Sequence, residues 1–348
     1  MNRGIVYGLA SAALFGVSTP LAKAIVESVA PLWLAALLYL GSGTGLLLVL
    51  AVRRLTQSGD RLALPTAEDW RWIGGAIALG GVAGPVALMY GLVWTSGATT
   101  SLLLNLEAVL TTMLAWFLFR ENFDRRIAFG MVVIVAGALL VTAAPGGGDS
   151  SMMGPPLVAL ACLCWALDNN LTRKASASDA VVLASLKGLI AGTVNGVLAL
   201  VLGMATPSLS SVAGAAVVGF LGYGLSLVLF ILALRHLGTA RAGAHFSVAP
   251  FFGAVLAVAM GQDTVTWSLA AAAALMGVGV WLHVSEHHAH EHRHEALDHV
   301  HSHTHDEHHR HEHAFAWDGA EPHVHPHVHR PVAHSHPHYP DIHHRHVH

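Results

Sequence analysis

Long stretches without charge most restrict how this 348-residue chain can fold. Each stretch is about 20 residues long, enough for a helix to cross a hydrocarbon core about 30 Å thick. Charged residues make up 11% of the chain, against about 25% in an average soluble domain. The sequence therefore predicts an all-α membrane protein with ten transmembrane helices. The predicted spans are 4–26, 32–52, 72–93, 97–119, 127–144, 155–172, 180–203, 212–234, 240–261 and 265–284.

Basic residues concentrate in alternate connections between these spans, and the connections in between have essentially none, with Lys23 the nearest exception. Because short cytoplasmic loops carry an excess of Lys and Arg, the pattern predicts that both termini are cytoplasmic. The N-terminal apolar run has no evident cleavage site, so it is expected to be a retained first helix. The residues that set the orientation are Arg53, Arg54, Arg61, Arg71, Arg120, Arg125, Arg126, Arg173, Lys174, Arg235 and Arg241.

The first five spans resemble the next five. The segment 15–23 aligns with 165–173, and the segment 97–121 aligns with 239–263, which sets Glu121 opposite Asp263. Because five is odd, the two halves must insert with opposite orientations. Such inverted repeats are typical of secondary transporters, whose substrate site lies at the repeat interface. The predicted organisation is a first repeat at 1–145, a second repeat at 146–284 and a tail at 285–348.

The aromatic-small pairs Phe15-Gly16 and Trp165-Ala166, together with helices of small residues that end on an acidic residue, resemble the EamA family of the drug/metabolite transporter superfamily. The resemblance covers roughly 4–284. It implies a ten-helix exporter of the bacterial inner membrane, often driven by the proton gradient, for amino acids, metabolites or drugs. Ala108 replaces a Pro that is usual in the family. A His-rich tail makes the chain similar to the nickel and cobalt exporters of that superfamily.

The tail contains 24 of the 27 His residues of the chain. Neutral imidazole suits nickel, cobalt, zinc and copper, and alternate residues of an extended chain face the same side. Five Pro residues and few apolar residues predict a disordered cytoplasmic tail that binds metal, although a proton buffer remains an alternative. The predicted ligands are His287, His288, His290, His292, His294, His299, His301, His303, His305, His323, His325, His327, His329, His334, His336 and His338.

Ionisable side chains inside the predicted spans are candidates for the transport site, since an unpaired charge is unfavourable in the bilayer. Glu107, Asp168 and His245 would offer one nitrogen and several carboxylate oxygens to a divalent cation. Asn105 or Asn169 would complete the shell, and nickel and cobalt accept such mixed donors. In the alternative interpretation, Asp168 pairs with Lys187 or Arg173, and His245 is a packing residue.

The predicted function is the export of nickel, and secondarily cobalt, in exchange for protons. A small-metabolite or amino-acid exporter with an incidental tail is one alternative, and a membrane-tethered metal buffer or sensor is another. The net charge of -3 predicts no nucleic-acid partner, and the chain has no catalytic motif that would indicate an enzyme. The expected partners are divalent metal ions, protons and lipid, with no other cofactor, and the sequence is compatible with a homodimer.

Overall fold

The computed structural model describes residues 3–56, 64–119, 125–143, 153–172 and 179–284, and four tail segments at 289–294, 297–303, 323–329 and 332–337. The chain forms two compact units, Met1–Ser285 and Glu286–His348. Within the described residues the first unit is helical, and the second contains β-strands.

The described part of the first unit contains thirteen α-helices and two π-helical segments. In chain order these are α1 Arg3–Val26, α2 Pro31–Thr56, α3 Trp70–Ala76, π1 Ile77–Ala83, α4 Gly84–Trp94, α5 Gly97–Leu103, α6 Leu106–Phe119, α7 Arg125–Ala143, α8 Gly154–Thr172, α9 Ala180–Val201, α10 Leu209–Gly219, π2 Phe220–Leu225, α11 Ser226–Phe246, α12 Ala249–Ala259 and α13 Trp267–Val284.

Within the described residues, six helices are long and apolar enough to cross a membrane. Two shorter apolar helices, Ala249–Ala259 and Trp267–Leu282, accompany them. These helices indicate a multi-pass membrane protein, while the count of ten spans stays a prediction. The six are Arg3–Val26, Pro31–Thr56, Trp70–Trp94, Arg125–Ala143, Val181–Val201 and Leu209–Ala233.

The two π-helical segments occupy equivalent places in the two halves. The alignment that sets Gly97 opposite Thr239 sets π1 opposite 219–225, which overlaps π2 almost completely. A π-helix shifts the backbone hydrogen-bond pattern and is frequent at functional sites. In π1 the carbonyl oxygen of Gly80 accepts hydrogen bonds from the Tyr39 hydroxyl at 2.7 Å and from Trp165 Nε1 at 3.0 Å. No feature of the sequence predicted these segments.

Two predicted spans are discontinuous. The span predicted at 97–119 is interrupted between α5 and α6, and the boundary predicted between 212–234 and 240–261 is wrong, because α11 continues to Phe246. Pro250 lies in the first turn of α12, where its missing N–H loses no helical hydrogen bond, and this position is typical of a helix start. In the repeat alignment the two breaks lie within two residues of each other. Discontinuous helices of this kind form substrate sites in many secondary transporters.

Equivalent helices of the two halves make equivalent packing contacts. Helix α1 packs against α11 and α12, and helix α8, its counterpart in the second half, packs against α4 and α6. Helix α2 packs against α9, and α7 against α13, which pairs equivalent helices of the two halves. This arrangement is what two related halves with a shared interface would produce.

The discontinuous helices approach α1 closely through glycines. A Cβ atom on Gly16 of α1 would overlap the carbonyl oxygen of Ala249, at the start of α12. A Cβ atom on Gly253 would lie 2.5 Å from Ser101 Oγ of α5 and 2.6 Å from the Gly16 carbonyl oxygen. Small residues therefore let α1, α5 and α12 meet almost backbone to backbone, as small residues commonly do between membrane helices.

Asp263, just beyond α12, stabilises the start of α5. Its Oδ2 accepts a hydrogen bond from the backbone N–H of Ala98 at 2.9 Å, which satisfies one of the free donors at this helix end. We expect Asp263→Ala to lower the free energy of unfolding by about 1 kcal/mol, the usual cost of losing a cap. Asp263→Asn, the matched control, keeps an acceptor oxygen and should retain most of that stability.

Thermal unfolding in detergent measures this difference, because Cys162 and Cys164 are free and buried and react with a thiol dye only on unfolding. The Ala variant should unfold about 2 °C below the Asn variant. Equal midpoints for the two variants would show that Asp263 contributes no stabilising acceptor.

The described tail segments form four strands, β1 Ala289–His294, β2 Leu297–His303, β3 His323–His329 and β4 Val332–Pro337. Strand β1 pairs with β4 and β2 pairs with β3, both antiparallel. The prediction of a disordered tail is wrong for these segments, because His at every second position has the period of a strand and pairing satisfies the backbone groups. Four predicted ligands lie outside the described residues: His287, His288, His305 and His338.

Candidate functional site

Glu107 lies in the first turn of α6, immediately after the break that follows α5. It is partly buried, and its Oε1 accepts a hydrogen bond of 2.9 Å from Asn169 Nδ2 of α8. The same Asn169 nitrogen lies 3.4 Å from Thr111 Oγ1. The N-terminal end of a helix favours negative charge, so the break gives the Glu107 carboxylate a favourable position within an apolar span. The structure thus brings together two predicted residues, Glu107 and Asn169.

Asp168 has a different environment from Glu107, although it directly precedes Asn169 in α8. It is buried, forms a salt bridge with Lys187 Nζ of α9, and accepts a hydrogen bond of 3.0 Å from Thr172 Oγ1. Its carboxylate also contacts Gly80 of π1, where a Cβ atom would overlap Asp168 Oδ2. The charge of Asp168 is compensated by Lys187, as in the alternative interpretation of the sequence.

Glu107, by contrast, has no basic side chain within salt-bridge distance among the residues that the structure describes. Lys187 is near enough to interact with it electrostatically, but its ammonium group is paired with Asp168. An ionisable group in a membrane span that lacks a structural counter-charge is a functional candidate. Glu107 is therefore the carboxylate of this region that is available to bind a proton or a cation.

His245 lies in the last turn of α11 and packs against Gly8 of α1, where a Cβ atom would be 2.9 Å from His245 Cβ. Gly8 precedes Phe15 by two helical turns, about 10 Å along the helix axis. Asn105 is buried at the break, where its Nδ2 donates to the carbonyl oxygen of Leu102 at 2.9 Å. Neither residue is among the hydrogen-bond partners of Glu107.

The predicted site of Glu107, Asp168 and His245 is therefore not assembled in this structure. Over the described ranges, no group of three or more His, Cys, Asp or Glu side chains could hold a metal ion. The prediction used the depth of each residue along its helix, which does not determine which neighbour each side chain faces. Lys187, which forms a salt bridge with Asp168, is the residue that makes Asp168 a poor candidate for a metal ligand.

Aromatic side chains from several helices cluster around Phe15 and Tyr223. Tyr223 of π2 lies with its ring centroid 5.8 Å from Phe15 and 5.8 Å from Tyr39, and Phe15 lies 5.3 Å from Phe246. Neither tyrosine was predicted from the sequence, where Phe15 had only a motif role, although a Tyr inside an apolar span needs a polar partner for its hydroxyl.

In chemical terms, Glu107 supplies one carboxylate, and Asn169 and Thr111 beside it supply an amide and a hydroxyl. Such a group can bind a cation that keeps part of its water shell, since these few donors leave coordination positions of nickel or cobalt open to water. It can also bind an organic amine, whose charge interacts favourably with aromatic faces. The geometry is compatible with both kinds of cation.

In the tail, the strand register sets His opposite His at five positions. The described strands contain twelve of the sixteen predicted ligands. The opposed pairs are His290 with His336, His292 with His334, His299 with His327, His301 with His325 and His303 with His323.

Comparison with known proteins agrees with the architecture. The model of the EamA-like transporter family matches residues 2–143 and 152–285, once for each half. A protein described as an uncharacterized transporter of Methanothermobacter thermautotrophicus (strain Delta H) is 26% identical over 267 residues, covering 73% of this chain and 78% of its own. A crystal structure with 20% identity, which covers 82% of this chain and 99% of its own, superposes with a TM-score of 0.60 and shares the fold. The chain therefore belongs to the EamA-like transporter family and is a multi-pass membrane transporter.

Proposed function

We propose that the chain exports divalent metal ions, nickel first and cobalt second, in exchange for protons. The observation that carries the proposal is the set of five opposed His pairs in the tail of a membrane transporter. Imidazole binds nickel and cobalt in preference to magnesium and calcium. Metal binding by the tail of a transporter therefore favours metal ions as the transported substrate.

Glu107 is the proposed exchange site. Its carboxylate accepts either a proton or a partly hydrated metal ion, and Asn169 and Thr111 supply further oxygens. Because one carboxylate does not hold both ligands at once, a proton that enters from outside displaces the metal, which leaves outward. The discontinuity between α5 and α6 places this exchange at a helix end, as in other secondary transporters.

Cellular nickel content distinguishes metal export from metal storage by a membrane-tethered buffer. We expect cells that express the full chain to contain less nickel than control cells in the same medium. Cells that express the chain truncated after His283 should still contain less than the controls, because the helical unit carries the flux. A membrane-tethered buffer would raise total nickel, since metal bound to the tail stays with the cell. Equal or higher nickel in cells with the full chain would reject export.

The cluster of Phe15, Tyr39 and Tyr223 favours a second candidate, the export of a small organic cation. Phe15, Tyr39 and Tyr223 would contact the apolar part of the solute, and Glu107 its charge or the coupling proton. A ligand that binds only the folded state raises the unfolding temperature. Stabilisation of the tail-truncated chain by amines or amino acids, and not by nickel, would favour this candidate over metal export.

A further inference from the structure

The break between α5 and α6 interrupts a sequence that favours a continuous helix. The segment 101–110 reads SLLLNLEAVL and contains neither Pro nor Gly, and Leu, Ala and Glu are strong helix formers. The second break differs, because Pro250 lies in the first turn of the helix that follows it. The repeat alignment sets Ala108 opposite Pro250. Another feature of the chain must therefore favour the break in the first half.

The backbone at this break is close to helical geometry. Leu104 has φ -61° and ψ -17°, near the values of a 3₁₀-helix. The backbone N–H groups of Asn105 and Glu107 each donate to the carbonyl oxygen three residues back, both at 3.1 Å, whereas an α-helix uses the carbonyl oxygen four residues back. A small change of backbone torsion angles therefore separates the broken helix from a continuous one.

Side chains occupy two carbonyl groups at the end of α5 that a continuous helix would use for its own hydrogen bonds. The carbonyl oxygen of Leu102 accepts from both the backbone N–H and the side-chain Nδ2 of Asn105, which uses both of its lone pairs. The carbonyl oxygen of Leu103 accepts from Cys162 Sγ of α8 at 3.7 Å. Both side-chain donors are buried, where hydrogen bonds are stronger than in water.

Helix α8 contacts the chain on both sides of the break. Cys162 bonds to the end of α5, and Asn169, seven residues later, bonds to Glu107 at the start of α6. Seven residues are about two helical turns, so the two side chains lie on nearly the same face of α8. The break therefore brings the Glu107 carboxylate to Asn169 and keeps it in a first turn, where free N–H groups favour negative charge.

We propose that Asn105 is a positioning residue, assisted by Cys162, and that their hydrogen bonds to the last carbonyl groups of α5 hold the break and keep Glu107 at a helix start. The inference rests on the proposed exchange role of Glu107. It gives Asn105 a role without metal contact, whereas the sequence suggested a metal ligand at this position. In a continuous helix the first N–H groups of α6 would bond to α5, and the Glu107 carboxylate would lose their favourable effect.

Carbodiimide labelling of Glu107 in the full chain tests this inference, because hydrophobic carbodiimides react with protonated carboxyl groups in apolar surroundings and mass spectrometry locates the label. Asn105→Ala removes the donor. Asn105→Ser is the matched control, since a Ser in this chain can donate to the carbonyl oxygen three residues back, as Ser185 does to Val182 at 2.9 Å. A third variant adds Ala108→Pro to Asn105→Ala, because a Pro disrupts a continuous helix and is tolerated in a first turn.

We expect Glu107 of the Asn105→Ala chain to be labelled roughly 2- to 5-fold faster than in the unsubstituted chain, the factor that corresponds to losing a favourable charge interaction at a helix end. Asn105→Ser and the variant with Ala108→Pro should be labelled near the original rate. An unchanged rate in Asn105→Ala would overturn the inference. A faster rate that Ala108→Pro does not restore would also overturn it, because Asn105 would then act by another route than the break.

Cys162→Ala and Cys162→Ser form a second matched pair that leaves Asn105 in place. Because a thiol is a weak donor, Cys162→Ala should raise the labelling rate by less than Asn105→Ala, and Cys162→Ser should not raise it. Equal rates within this pair would overturn the role of Cys162.

Gradient-driven nickel flux through the full chain supplies the second readout. The flux should fall in Asn105→Ala and recover in Asn105→Ser, and an unchanged flux in a chain with faster labelling would contradict the need for this position of Glu107. Labelling does not depend on transport. An unsubstituted chain that moves no nickel would therefore refute the proposed function, and the labelling series would still decide whether Asn105 holds the break.

Discussion

We expect the Glu107→Gln substitution to reduce gradient-driven nickel flux to the level of vesicles without the protein. Gln has nearly the same shape, and its amide oxygen can accept the hydrogen bond that Asn169 Nδ2 donates at 2.9 Å. It cannot bind a proton or neutralise a cation, so it removes both steps of the exchange and leaves the packing intact. Flux is best measured with the chain truncated after His283, which removes nickel that only binds the tail.

Two controls separate loss of exchange from loss of folding. The Glu107→Gln chain should show an unchanged unfolding temperature, because the contact with α8 persists. The Glu107→Asp substitution keeps the charge on a shorter side chain and should retain part of the flux. Flux as in the unsubstituted chain for Glu107→Gln would contradict the role of this carboxylate in exchange.

The second large effect concerns the buried pair of Asp168 and Lys187. Removing one partner leaves an uncompensated charge inside the membrane unit, which typically costs about 3–5 kcal/mol. We therefore expect Asp168→Asn alone to lower stability strongly. The double substitution with Lys187→Met removes both charges and should recover most of the stability, because a buried ion pair and an apolar replacement of similar size are often equally stable.

Thermal unfolding followed by a thiol dye at Cys162 and Cys164 measures the stability of these variants, and nickel flux measures their activity. A structural role for the pair predicts that the double variant is both stable and active. A double variant that folds but transports nothing would show that Asp168 takes part in binding the substrate or the proton.

The sequence predicted the helical class and the paired halves because hydrophobic length and loop charge are local properties of the chain. The discontinuities were harder to predict. The α5–α6 break contains no Pro, and no local sequence pattern predicts the π-helical segments. The break and the π-helical segments both depend on how neighbouring helices pack. Pro250 lies beside the second break, but the boundary between the two predicted spans fell near the basic residues at 235–241.

The candidate site was predictable only as a set of polar residues. Glu107 and Asn169 are in contact, whereas Asp168 pairs with Lys187 and His245 packs against Gly8. Depth along a helix follows from residue number, but the direction of a side chain depends on helix rotation and on tertiary neighbours. In the tail, His at alternate positions predicted an extended chain with His on one side. The pairing of β1 with β4 and of β2 with β3 joins residues far apart in the sequence, so a local pattern does not predict it.

Uptake of radioactive nickel into inverted membrane vesicles, with and without an imposed proton gradient, tests metal export most directly. The full chain and the chain truncated after His283 should both accumulate nickel when the vesicle interior is acidic, and a protonophore should abolish the accumulation. Nickel that binds equally with and without the gradient, and disappears with the tail, would contradict metal export and leave a chelating tail on a transporter of another solute.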